Sequence, residues 1–224
     1  QAVGWLIDVY REGRMQDANF VKFGTFMTLF PHVISGPILR WKDTSRDLSR
    51  QNRGLDALEN GLRELTIGLG MKVLLANQIA DLCEKIRAVG YESISTPLAW
   101  LGIVAFSFEI YFDFYGYSLM AIGLGEMFGF HLPKNFQYPY MATSMTDFWR
   151  RWHMTLGSWF RDYVYIPLGG SRCSKGKMIR NLLVVWLLTG LWHGAGWNFL
   201  LWGFLLFVLV AVEKLCLLKV FRRV

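Results

Sequence analysis

Charge is scarce in this chain. Only 18% of its 224 residues are Asp, Glu, Lys or Arg, against roughly 25% in ordinary soluble domains. Cysteine is scarcer still. Cys83, Cys173 and Cys216 are odd in number and widely spaced, which excludes a disulfide framework and a zinc-ligand pattern and leaves them read as unpaired. No nucleotide-phosphate loop is present, because Pro167-Leu168-Gly169-Gly170-Ser171 lacks the spacing to a Lys-Ser/Thr pair. No basic segment or small-residue cleavage site marks a signal peptide at Gln1-Ala2-Val3-Gly4-Trp5. What abounds is apolar: 53% of the chain is hydrophobic, with 17 Phe, 10 Trp and 9 Tyr. A soluble core of this size needs fewer aromatics, whereas a lipid-facing surface with interfacial belts uses them. The net charge of +7 could suit nucleic acid. The basic residues cluster between apolar runs, however, so they fit a membrane surface and exclude a nucleic-acid partner.

A bilayer crossing needs about 20 helical residues. Leu62 to Leu82 has apolar residues at helical spacing, and Pro97 to Phe114 continues apolar to Ile122 with Glu109 and Asp113 embedded. Asn181 to Leu218 has room for one crossing plus a half-helix, or two very short crossings. Phe20 to Leu39 is a candidate crossing broken by Pro31, Gly36 and Pro37, and reads as kinked or re-entrant. The first residues read as the tail of an apolar segment ending near Tyr10, and the chain stops at Val220-Phe221-Arg222-Arg223-Val224. Both ends suggest a piece of a longer chain. Arg40–Arg63 and His131–Arg180 are rich in Lys and Arg, while Cys83–Thr96 is balanced. The positive-inside tendency puts the two basic stretches in the cytoplasm and the balanced one outside.

Between His131 and Arg180 the chain is too polar to face lipid. Ser144 fits an N-cap with Asp147 at the third position, and Asp147 pairs with Arg151 at four-residue spacing. From there Phe148, Trp152, Leu156 and Trp159 form a stripe, with Trp149, His153 and Phe160 on the adjacent face. This pattern predicts one amphipathic helix, lying at the cytoplasmic interface or dipping into the protein, with His153 turned inward. His193 lies in Trp192-His193-Gly194, inside the last apolar run. A neutral imidazole is cheaper to bury than a carboxylate or ammonium, and exchanges a proton near neutral pH. Two readings of His153 and His193 stand at this point: proton transfer in a membrane enzyme, or hydrogen bonds that tie helices together. Arg150 and Arg151 either meet phosphates or snorkel to the interface. Asp113 must be paired or protonated at its depth and is read as structural or channel-lining. Asp162 beside Arg161 reads as part of a salt-bridge network, and Glu109 has no evident role.

Several ordered motifs together resemble one family, the membrane-bound O-acyltransferases, and most resemble its bacterial alginate and polysaccharide O-acetyltransferase branch. They are Tyr111-Phe112-Asp113-Phe114-Tyr115-Gly116-Tyr117-Ser118, Met120-Ala121-Ile122-Gly123, Pro133-Lys134-Asn135-Phe136, and Asp147-Phe148-Trp149-Arg150-Arg151-Trp152-His153. Arg161-Asp162-Tyr163, Ile166-Pro167-Leu168-Gly169-Gly170 and Gly190-Leu191-Trp192-His193-Gly194-Ala195 follow, with Ile7-Asp8-Val9-Tyr10 and Ser35-Gly36-Pro37 upstream. The resemblance implies an all-α, polytopic protein of the bacterial cytoplasmic membrane. Residues 1–224 would form the central catalytic part of the helical core, truncated at both ends, with re-entrant and interfacial helices.

It further implies acyl transfer from a thioester, acetyl-CoA or an acyl carrier, to a polysaccharide hydroxyl, with the donor as substrate, no tightly bound cofactor and no metal. His193 matches the family's membrane histidine and is expected as general base. His153 matches the second histidine and would line the cytoplasmic mouth. Arg150 and Arg151 would meet donor phosphates, and Gly190, Gly194 and Gly196 would let backbones approach closely. The sequence names no residue to stabilise the oxyanion. Expected partners are membrane lipid, the polysaccharide acceptor, and an extracytoplasmic acetyltransferase or a cytoplasmic acyl carrier protein. D-alanyl transfer to teichoic acid is the alternative within the class. A transporter with a histidine proton relay and a structural subunit are the alternatives outside it.

The charge pattern makes a direct prediction. In a background without native cysteines, a membrane-impermeant thiol reagent added outside should label Ser93→Cys and spare Lys175→Cys. Reversed labelling would overturn the orientation.

Overall fold

The structure is a computed structural model that describes residues 1–13, 19–33, 36–49, 54–90 and 92–217, with only the backbone of Cys216 and Leu217. Ser35, Arg50, Arg53, the segment Val220–Val224 and the pairing of Cys216 lie outside the described residues. The described residues are helical, without strand, and form two compact units, Gln1–Lys134 and Asn135–Val224.

The first unit opens with α1 (Ala2–Glu12), α2 (Phe20–Thr28), α3 (Phe30–Val33) and α4 (Trp41–Ser49). The candidate crossing at Phe20–Leu39 is therefore two short helices. α2 stops before the residue preceding Pro31, since the ring removes a donor and crowds the preceding turn. Phe26, Leu39, Trp41, Phe130 and Leu132 bury one another here. His32 is buried with both ring nitrogens used: Nδ1 lies 2.8 Å from the Gln1 side-chain amide and Nε2 lies 2.9 Å from the Phe26 carbonyl. Since the amide NH₂ donates and the carbonyl accepts, Nε2 carries the proton and the ring is satisfied while neutral.

Two long rods follow. α5 (Leu55–Gly70) runs through a wide π-helical stretch, Met71–Ala76, into α6 (Asn77–Ala88), and α7 spans Thr96–Met127. Leu55–Ala88 and Thr96–Met127 are both long and apolar enough to cross a membrane. Pro97 sits in the first turn of α7, where its missing N–H is harmless. Gly129, at φ 80°, ends that helix as Phe130 N–H returns to the Gly125 carbonyl at 2.8 Å. The rods touch backbone to backbone. A Cβ on Gly61 would lie 2.6 Å from the Gly123 carbonyl oxygen, and one on Gly68 would lie 2.5 Å from that of Gly116. Asp113 is paired across the hairpin with Lys72, whose lone charge had carried no sequence signal. At the open end, the Asp47 carboxylate accepts from the His131 backbone N–H at 2.8 Å. This joins the basic stretch of α4 to the segment after α7, as a single out-and-back hairpin requires.

The second unit contains α8 (Met145–Arg151), α9 (Met154–Phe160), a π-helical turn at Arg161–Tyr165, α10 (Lys175–His193) and α11 (Trp197–Val212). The apolar run from Asn181 is thus a helical hairpin turning at Gly194–Gly196, and Trp197–Leu215 is long and apolar enough to cross a membrane. Leu182, Trp186, Leu206 and Val210 form its core. α10 and α11 touch through Gly190 and Gly203, whose added Cβ atoms would meet the Phe199 and Trp186 carbonyl oxygens at 2.5 and 2.4 Å. The turn after Ile166 uses Gly169 at φ 108° and Gly170 at φ 56°. Fully buried Asn181 clasps it by donating to the Leu168 and Gly170 carbonyls at 3.0 and 3.3 Å.

The glycine contacts predict an asymmetry between two nearby positions on α5. Gly68→Ala must displace α7 and should destabilise the hairpin by about 1–3 kcal/mol, the usual scale of overpacking. Gly70→Ala meets open space and should be neutral or slightly stabilising. Thermal denaturation of both variants in detergent checks this, and equal melting temperatures would remove the close contact.

Candidate active site

The expected single helix from Ser144 is two helices, and the break falls on the histidine. Ser144 does cap α8, its Oγ accepting from Asp147 N–H at 3.0 Å, and Asp147 binds Arg151 Nε at 3.0 Å. Trp152 is then extended, at φ −103° and ψ 129°, and His153 turns left-handed, at φ 44° and ψ 54°. Non-glycine residues rarely occupy that region. The stripe of Phe148, Trp152, Leu156 and Trp159 is therefore not one helical face. Periodicity missed the break because a two-residue kink leaves the apolar pattern on both sides intact.

A neighbouring segment, residues 135–137, hydrogen-bonds to both sides of the kink. Gln137 N–H donates to the Arg151 carbonyl at 2.9 Å, and Met154 N–H donates to the Asn135 carbonyl at 2.9 Å. Asn135 Oδ1 accepts from Thr155 N–H at 3.2 Å and from Thr155 Oγ1–H at 2.7 Å. Phe136 packs edge-on against Trp152 with ring centroids 5.0 Å apart.

His153 is 6% exposed. Burial, helped by nearby His193, pushes its imidazole down to about 3. His193 closes α10, and the structure corrects its expected surroundings. It is exposed, where the apolar run had suggested burial. Gly194 and Gly196 follow it, and added Cβ atoms there would meet the Phe199 ring and Asn198 Oδ1, each at 2.4 Å. Both imidazoles lie against Trp192, His153 at 5.7 Å and His193 at 4.9 Å between ring centroids. Trp202 also lies 4.9 Å from His193 and adjoins Trp149 at 6.1 Å. Forty residues of sequence separation thus collapse onto one indole. Trp202 and Asn135 had not been singled out for this site, since an indole in an apolar helix and an Asn after Lys134 look ordinary.

The arginine pair divides. Arg151 is committed to Asp147, whose carboxyl it holds below the ordinary carboxylate value, while Arg150 is exposed. Arg161 binds Asp162 through Nε at 2.7 Å, an ion pair at the start of the π-helical turn. Glu109 and Asp113 lie on α7 in the first unit, away from this cluster in the chain. Among the described residues no group of three or more His, Cys, Asp or Glu could hold a metal ion. The candidate site is two histidines on an indole, one buried and neutral, one exposed at a helix end. Such a pair can accept and return a proton.

Residues 9–221 match the membrane-bound O-acyltransferase family, and the chain belongs to it. With three helices among the described residues long and apolar enough to cross a membrane, it is a multi-pass membrane protein of bacterial type. Among individual proteins, it is 43% identical to the probable alginate O-acetylase AlgI of Azotobacter vinelandii over 91% of this chain and 40% of that protein. It is 39% identical to the peptidoglycan O-acetyltransferase of Helicobacter pylori, over 88% of this chain and 38% of that one. It is 30% identical to the teichoic acid D-alanyltransferase of Streptococcus thermophilus, over 91% of this chain and 52% of that one. The chain thus spans about two fifths of the AlgI length.

The burial of His153 predicts a pH dependence. An unfolded imidazole titrates near 6.5, whereas the folded one is held down to about 3. Between those values the unfolded chain binds the extra proton. Stability should therefore fall as pH drops below about 6.5, by at most about 1.4 kcal/mol per pH unit. His153→Gln should lose less melting temperature between pH 7 and pH 5 than the parent. An equal loss would show that the imidazole is not buried neutral.

Proposed function

We propose that these residues carry the acyl-transfer centre of an O-acetyltransferase that moves an acetyl group from a thioester to a polysaccharide hydroxyl. The observation that carries this reading is the convergence of His153 and His193 on Trp192. Family membership supplies the chemistry. His193 takes the hydroxyl proton as the new C–O bond forms at the thioester carbonyl. Collapse of the tetrahedral intermediate breaks the C–S bond, and the imidazolium returns the proton to the departing thiolate. Its exposed place beside a glycine turn suits a base that must meet an acceptor.

His153 suits a different task. Held neutral, it offers hydrogen bonds and shape to the donor without presenting a cation. Of the two arginines, Arg150 is the one placed to meet donor phosphates, because Arg151 already neutralises Asp147. Acetyl-CoA is the proposed donor, reached from the cytoplasm, with the acetyl group passed outward directly or through an extracytoplasmic partner transferase. The higher identity to two O-acetyl-transferring relatives than to the D-alanyltransferase favours acetyl over D-alanyl. Donor-dependent turnover separates this reading from a transporter, which would move a solute without consuming thioester.

The test uses the full-length protein that contains this sequence, purified in detergent with acetyl-CoA and an oligosaccharide acceptor. His193→Ala should lower turnover by about 10²–10⁴-fold, the range for a lost general base, while the protein still accumulates folded. His153→Ala should lower the rate per folded molecule at least as much as Leu156→Ala, a buried packing control. Near-normal turnover in His193→Ala would end its role as base. An unchanged rate with reduced yield in His153→Ala would make that residue structural.

A further inference from the structure

We propose that Asn135 is the positioning residue for His153, acting through the backbone bend that its side chain holds. This rests on the donor-side role given to His153 above. The sequence on either side of His153 favours helix, and Met145–Arg151 and Met154–Phe160 are both helical. Left alone, the two would merge, and His153 would relax out of the left-handed region that it occupies at φ 44°.

Four hydrogen bonds from Asn135–Gln137 oppose that merger. Two use only backbone atoms of the segment and could come from almost any residue there: Gln137 N–H to Arg151, and Met154 N–H to Asn135. The other two need the Asn135 side chain, whose Oδ1 takes both the N–H and the hydroxyl of Thr155. Thr155 lies two residues past His153, at the first turn of α9. Clamping it stops that turn from extending backwards over His153.

The remaining half of the amide sharpens the argument. Two donors on Oδ1 settle which end is oxygen, so Nδ2 faces the other way. Asn135 is 1% exposed, and Nδ2 is buried with no hydrogen-bond partner among the described residues. An amide buried for packing alone would be satisfied at both ends or replaced by an apolar group. Asn135 is buried with one end unsatisfied, and what its burial secures is the bend. In a continuous helix the imidazole of His153 would leave Trp192.

The full-length protein, assayed with acetyl-CoA and an oligosaccharide acceptor, tests this. Asn135→Ala should lower kcat/KM by about tenfold or more, as expected when a reacting group is misplaced by an ångström or so. Asn135→Asp keeps an acceptor oxygen for Thr155 and should recover most of that loss. Combined with His153→Ala, Asn135→Ala should add nothing, because it acts through the residue already removed. If Asn135→Ala does not fold, Thr155→Val and Thr155→Ser carry the same comparison, with the hydroxyl removed in one and kept in the other. An unchanged rate in Asn135→Ala overturns the proposal. So does a double variant that loses the product of the two single effects while His153→Ala alone is slow. If His153→Ala itself turns over normally, the donor-side role of His153 falls first and the positioning role falls with it.

Discussion

Backbone contact between antiparallel helices is the constraint on which both units rest. Within a bilayer, apolar side chains gain little by leaving lipid for protein, so helices associate through close van der Waals approach and polar contacts. Gly61 and Gly68 on α5 meet Gly123 and Gly116 on α7 at distances that no Cβ tolerates. Gly190 and Gly203 do the same for α10 and α11. The first contact sets the hairpin register that brings Lys72 to Asp113. The second sets the register that carries Trp202 against His193. Chemistry-bearing side chains thus take their places from residues that have none.

Several polar groups of the helical mass are matched individually. Lys72 answers Asp113, Asn181 closes the Ile166–Gly170 turn, and His32 uses both ring nitrogens while neutral. Glu213, at the far end of α11, accepts from Thr146 N–H at 3.0 Å and ties that helix to the start of α8. A charge or amide left alone in a low-dielectric setting costs far more than it does in water. Matching at this level separates residues that maintain the fold from those left open for a substrate. His32 belongs to the first group, and exposed His193 is proposed for the second.

His153 and His193 differ in burial, backbone and neighbours, and the proposed reaction asks different things of them. A base that meets an incoming hydroxyl must be reachable and able to gain a proton. A donor-side residue works better if it stays neutral and fixed. The left-handed bend at His153 is a local strain held by surrounding hydrogen bonds. Strained backbone persists only where its surroundings over-determine it. The shared indole of Trp192 lets these two unlike imidazoles occupy one site.

Composition and run length were enough to establish the membrane class, the two long rods and the turn at Pro167–Gly170. These depend on local properties: apolar length, helix-breaking residues and side chains a few positions apart. The Ser144 cap and the Asp147–Arg151 pair were legible for the same reason, since both lie within one helical turn. The motifs also pointed to His153 and His193 as members of one site. Tertiary structure alone decided the rest. The break at Trp152–His153 is imposed from outside the helix by Asn135 and Gln137, through contacts about twenty residues away that leave no mark on the apolar period. Lys72 found Asp113 forty-one positions on. His153 is buried, as its inward face suggested, whereas His193 is exposed despite its apolar run, because burial follows from which helices approach. Periodicity reports what a segment prefers by itself, and these features exist only where two segments meet.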